Sequence, residues 1–136
     1  MNSKLIIYTD GGARGNPGPA AIGAVLIDQQ AKVVAEISEC IGEATNNQAE
    51  YRAVIAALTK AKSLGASELE FFLDSELVVK QLKLEYKVKN AELVPLFLQV
   101  HNLAVGFKKV TFKHVRREQN VEADKLVNLA LDAKRN

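Results

Sequence analysis

The chain has 136 residues, of which 48% are hydrophobic and 25% charged, with a net charge of +2. This is the balance of a globular protein, and the length suits a single domain over residues 1–136 with its own core. It contains no apolar run near the roughly 20 residues that cross a bilayer, no hydrophobic segment and cleavage site of a signal peptide, and a lone Cys40 that can close no internal disulfide. A cytoplasmic protein without membrane contact is therefore expected. The small net charge hides an asymmetry: residues 1–79 hold 6 Lys/Arg and 10 Asp/Glu, whereas residues 80–136 hold 12 and 6. A basic half can attract a polyanion, although lysines that merely solvate helix faces give the same count.

Residues 4–10 are rich in Ile, Leu and Tyr and predict a strand ending at Asp10. The segment GGARGNPGP, residues 11–19, predicts turns. Residues 20–27 and 32–41 predict two further strands in an antiparallel meander. Thr45 and Gln48 then have the spacing of a capping box, so a helix should begin near Asn46 and stop at Gly65. Residues 68–74 predict a strand with Leu69, Phe71 and Leu73 on one face, and Ser75 can cap a helix that buries Val78, Val79 and Leu82. Residues 83–90 read as a loop, 91–105 as a helix with Pro95 in its first turn, 108–115 as a strand and 119–133 as a last helix. This order predicts an α/β fold: a mixed sheet whose later strands run parallel through helical crossovers. Ligands of such sheets gather at the carboxyl ends of strands.

Four acids occupy unusual places. Asp10 closes the first strand, and Asp74 repeats that pattern before a helix. Glu50 heads the otherwise apolar stripe Ala53, Val54, Ala57, Leu58 and Ala61, and Asp124 borders the buried face of the last helix, three residues before Val127. Each has an ordinary explanation, as an Asx-turn residue, an N-cap or an acid favoured by a helix dipole. Together they could converge on one rim of the sheet. Clustered carboxylates repel unless divalent cations neutralise them, and hard oxygen donors suit magnesium or manganese. The implied chemistry is phosphoryl transfer with two ions about 3.5–4 Å apart. Asn16 in the glycine-rich loop, and Thr45, Asn46 and Asn47 before Glu50, are placed to reach phosphates, base edges or a 2′-hydroxyl, besides serving as turn and cap residues.

Tyr8-Thr9-Asp10-Gly11-Gly12 with Gly15-Asn16-Pro17-Gly18-Pro19, then Thr45-Asn46-Asn47-Gln48-Ala49-Glu50, Leu73-Asp74-Ser75 and Asn120-Val121-Glu122-Ala123-Asp124, form an ordered set across nearly the whole chain. The set resembles the type 1 ribonuclease H family. That resemblance implies the ribonuclease H-like fold, a five-stranded mixed sheet in the order 3-2-1-4-5 flanked by helices. It implies an endoribonuclease, a monomer, that cuts the RNA strand of RNA/DNA hybrids with two Mg2+ or Mn2+ ions held by Asp10, Glu50, Asp74 and Asp124. Gly11, Asn16, Thr45, Asn46 and Asn47 would contact the hybrid.

Residues 83–90 are too short for the basic protrusion of many members, and the short form also resembles members that attack double-stranded RNA. Glu76 stands where glutamine often follows Asp-Ser. The flexible loop with a histidine before the last acid has no clear counterpart. His114 falls in a predicted strand and reads first as structural, yet stays a candidate for the assisting catalytic role beside Arg117, which lies seven residues before Asp124 and is preferred over Arg116 and Glu118. His101, on a helix, reads as an ordinary partly buried residue. Two alternatives remain: a non-catalytic nucleic-acid-binding module of the same fold, and a nucleotide binder using GARGNPGP, which lacks the Gly-Lys-Ser/Thr ending of a phosphate loop.

Overall fold

In the computed structural model, which describes residues 3–134, strand alternation builds a sheet with two distinct faces. The strands are β1 (Lys4–Ala13), β2 (Gly18–Ile27), β3 (Val33–Ala44), β4 (Glu68–Leu73) and β5 (Lys109–His114). Their spatial order is β3-β2-β1-β4-β5. The first three run antiparallel, while β4 lies parallel to β1 and β5 parallel to β4. The expected mixed sheet and its order are thus present.

The helices are α1 (Asn46–Ser63), α2 (Glu76–Leu82), α3 (Val94–Ala104) and α4 (Val121–Lys134). On β2, Ile22, Ala24 and Leu26 join the large core that also takes Tyr51, Val54 and Leu58 of α1. Ala21 points the other way and packs against Val127, Ala130 and Leu131 of α4. Because successive strand side chains alternate in direction, α1 and α4 cover opposite faces. The stripe of α1 from Glu50 to Ala61 is buried throughout. Tyr51, within it, donates its hydroxyl to Gln81 Oε1 at 2.7 Å, which satisfies both buried polar groups.

Several boundaries differ from the sequence expectation. β1 does not end at Asp10. It continues to Ala13, because Asp10, Gly11, Gly12 and Ala13 pair with Gly23, Ile22, Ala21 and Ala20. The irregular turn shrinks to residues 14–17. α3 begins at Val94, not at Ala91, since the Asn90 side chain accepts from Glu92 N at 2.8 Å and holds a turn there. α4 begins at Val121, preceded by a single 3-10 turn over Arg117–Gln119 that is closed when Gln119 Oε1 accepts from Arg116 N at 3.0 Å.

Two glycines permit close approach of the layers. A Cβ on Gly11 would strike the backbone of Ala49 and Glu50, and one on Gly23 would strike the carbonyl of Ala123. Neither obstacle is a flexible side chain, so α1 or α4 would have to move. Gly23→Ala should therefore destabilise the fold by about 1–3 kcal/mol, the usual cost of overpacking. Urea denaturation reads this as a lower midpoint, and an unchanged midpoint would show that α4 can shift at no cost.

Candidate active site

The extension of β1 sets the first site residue. Asp10 lies inside the sheet opposite Gly23, on the face that α4 covers. β4 runs alongside in the register Tyr8↔Phe72, so Asp74, directly after β4, arrives beside Asp10. Glu50 comes from the second turn of α1, whose start is fixed by the expected capping box between Thr45 and Gln48. Bare Gly11 lets that turn close on β1, and Gly11 N donates to Glu50 Oε1 at 3.3 Å.

One carboxylate oxygen from each of Asp10, Glu50 and Asp74 lies within 4.8 Å of the others. Asp124, in the first turn of α4, lines the same cleft of about 390 Å³. All four acids singled out in the sequence therefore line one cleft: Asp10 from β1, Glu50 from α1, Asp74 from the junction after β4 and Asp124 from α4.

Their electrostatics are strained. Burial, helped by the charges of Asp74 and Asp124 and opposed by a hydrogen bond with Glu50, pushes the Asp10 carboxyl up to about 7. Burial, then the neighbouring Asp10 charge, pushes the Glu50 carboxyl well above its ordinary value. Glu50 Oε2 is buried with no hydrogen-bond partner among the described residues. A buried, unpartnered carboxylate oxygen facing two more acids fits a divalent cation. The donors are all hard oxygens, which matches magnesium or manganese.

Three of the five expected substrate residues, Gly11, Asn46 and Asn47, line this cleft, while Asn16 and Thr45 lie off its lining. Asn16 Oδ1 accepts from Asn46 N at 3.0 Å, and Asn46 Oδ1 accepts from Ala13 N at 2.8 Å, so the amide oxygens brace the glycine-rich loop against α1. Thr45 Oγ1 is taken by the cap bond from Gln48 N at 3.1 Å. Arg117 lines the cleft, whereas His114, exposed at the end of β5, does not. Glu76 is exposed in the first turn of α2 and lies off the cleft lining. His101 packs its ring 4.5 Å from that of Phe97, away from the acids.

Sequence reasoning passed over Arg14, which lines the cleft and pairs with Asp132 at 2.7 Å. It included Asn120 in the motif before Asp124 but gave it no role, although the residue is 1% exposed and donates to Asp74 Oδ2 at 3.3 Å. With the last helix expected from residue 119, Asn120 reads as a first-turn residue, and nothing in its spacing signals burial.

Residues 8–130 match the family described as reverse transcriptase-like. The chain is 47% identical over 131 residues to a bifunctional protein of Mycobacterium tuberculosis, covering 96% of this chain and 36% of that one. It is 46% identical over 129 residues to ribonuclease HI of Halobacterium salinarum, covering 95% and 65%. The chain thus spans about a third of the first relative and just under two thirds of the second. Among solved structures it is similar to LC11-RNase H1 in complex with an RNA/DNA hybrid, with a TM-score of 0.93 and 44% identity over 97% of this chain and 99% of that one. With its sheet order, its acid cluster and these relatives in agreement, the chain belongs to the type 1 ribonuclease H family.

Proposed function

We propose that this chain is a metal-dependent endoribonuclease that hydrolyses the RNA strand of RNA/DNA hybrids. The observation that carries the reading is the meeting of Asp10, Glu50, Asp74 and Asp124 in one cleft, with an unpartnered Glu50 oxygen at its floor. That LC11-RNase H1 is described in complex with an RNA/DNA hybrid supports the choice of substrate. Asp10, Glu50, Asp74 and Asp124 would hold two magnesium or manganese ions. Bound there, the metal would make a water acidic enough to act as nucleophile and would neutralise charge on the leaving oxygen.

The chain's own groups do the rest. The bracing bonds engage the carboxamide oxygens of Asn16 and Asn46 and leave the amide nitrogens as donors for base edges or a 2′-hydroxyl. Asn47 and Gly11 border the same cleft, and the Thr45 hydroxyl, whose oxygen accepts from Gln48 N, would keep its O–H to donate to a phosphate. The Arg117 guanidinium brings positive charge to the rim, where it stabilises charge on the phosphate under attack. Recognition through A-form shape makes double-stranded RNA the second substrate to test.

A labelled hybrid should be cut in the presence of Mg2+ or Mn2+ to leave 3′-hydroxyl and 5′-phosphate ends, and compared directly with double-stranded RNA and DNA. Asp10→Asn should abolish turnover while hybrid binding persists. Full activity in that variant would sink the mechanism, and tight binding without turnover in the unmodified chain would favour a binding module instead. Arg117→Ala should lower kcat by roughly tenfold or more, whereas His114→Ala should leave it near the unmodified value. The reverse order of effects would return the role to histidine.

The metal-free chain makes a further prediction. Asp10 keeps its proton up to about pH 7 when folded and loses it near its ordinary value of 3.8 when unfolded. Stability from this group is therefore full below the unfolded value and is lost as pH rises through about 7. In a chelator, the melting temperature should fall between about pH 4 and pH 7 and level off above, and Asp10→Asn should flatten that fall and melt higher beyond about pH 7. An identical pH dependence in both proteins would show that Asp10 is not held protonated.

A further inference from the structure

We infer that Asn120 is a positioning residue that sets Asp74 and Asp124 against Asp10, an inference that rests on the metal-dependent reading of the cleft. Asn120 joins the 3-10 turn to α4 and is 1% exposed. Its Nδ2 donates to two acceptors: the Thr9 carbonyl at 2.8 Å, one residue before Asp10, and Asp74 Oδ2 at 3.3 Å. Its own carbonyl accepts from Asp124 N at 3.2 Å. One residue therefore touches β1 beside the first acid, the third acid directly, and the backbone of the fourth.

Asp74 needs such a hold. It lies past the end of β4, beyond the last ladder position, and is only half-buried. The charges of its neighbours would drive a loose carboxylate outward to water. The residues that follow Asp74 make no hydrogen bond to its carboxylate: the Ser75 hydroxyl caps α2 by accepting from Val78 N at 3.3 Å, and Glu76 is exposed. The amide of Asn120 supplies a donor from inside the protein.

The residue type fits this task better than it fits packing. Asn120 Oδ1 and the nearby Thr9 Oγ1 are both buried without a partner among the described residues. Burying such groups costs free energy that an apolar side chain of the same size would avoid. Aspartate would lack the Nδ2 donor and add a further like charge, and serine is too short to span both acceptors.

The experiment compares Asn120→Ala and Asn120→Ser with Ser38→Ala. Ser38 donates its hydroxyl to the Leu126 carbonyl at 2.6 Å, so its loss loosens α4 on the sheet without removing a bond to any of the four acids. Serine is included because its hydroxyl favours a helix start, which keeps α4 anchored if the alanine variant folds poorly. Two quantities are read: the magnesium concentration at the midpoint of metal-induced thermal stabilisation, and kcat and KM on a hybrid. Both Asn120 variants should raise the magnesium midpoint and lower kcat by roughly 10–100-fold, as loss of a bond that orients a metal ligand does, with KM nearly unchanged. Ser38→Ala should lower the melting temperature and leave the magnesium midpoint in place. An unshifted midpoint in Asn120→Ser, or an equal shift in Ser38→Ala, would overturn the inference. The midpoint needs no nucleic acid, so absence of hybrid cleavage by the unmodified chain would overturn the functional reading separately.

Discussion

Mutual repulsion among carboxylates governs this structure. Asp10, Glu50 and Asp74 bring oxygens within 4.8 Å of one another, with Asp10 and Glu50 nearly removed from water. Like charges that close push each other apart, and burial deprives them of the solvent that would screen them. The remainder of the fold is arranged to hold them together. Asp10 is held by pairing along β1, Glu50 by a capped helix with a buried stripe, Asp74 by the parallel register of β4, and Asp124 by packing of α4 on β2 and β3. The small residues Gly11 and Gly23 are where the layers are allowed nearest, and both lie beside the acids.

Much of this was legible in the chain itself. The Thr45 and Gln48 spacing gave the start of α1 because a capping box is a local bond pattern, and it formed as expected. Glu50 stood out because a charge on an apolar stripe has few ordinary uses. Where sequence reasoning fell short, the deciding contacts were long-range. The glycine pair after Asp10 looks like a turn, yet pairing with β2 overrides glycine's local preference and carries β1 three residues further. Ala91 to Leu93 have good helix formers, but the Asn90 side chain traps them in a turn. Asn120 and Arg14 draw their positions from residues far along the chain, Thr9 and Asp132, which no local pattern reveals.

The basic residues beyond residue 80 lie mostly on exposed surface. Lys4 and Lys113 share Glu70, Lys83 faces Glu85, Lys125 faces Glu122 and Arg116 faces Glu118, mostly in exposed pairs. Such surface pairs are worth about 0–1 kcal/mol each and are screened by salt. The excess of lysine beyond residue 80 is thus largely a solvated surface. Recognition in the proposed function falls instead on groups at the cleft: amides of the glycine-rich loop and α1, and the guanidinium of Arg117.

The placement of Asp10 within β1 also divides the cluster by mobility. β1 is the sheet's middle strand, paired with β4 as far as Tyr8 and with β2 past Asp10 to Ala13. Backbone paired at the centre of a sheet opens at a higher cost than the ends of elements do. Asp74 and Asp124 sit at element ends, where fraying requires far less. One wall of the cleft is consequently tied to the centre of the sheet. The opposite wall rests on element ends, whose local opening costs less than opening of the core.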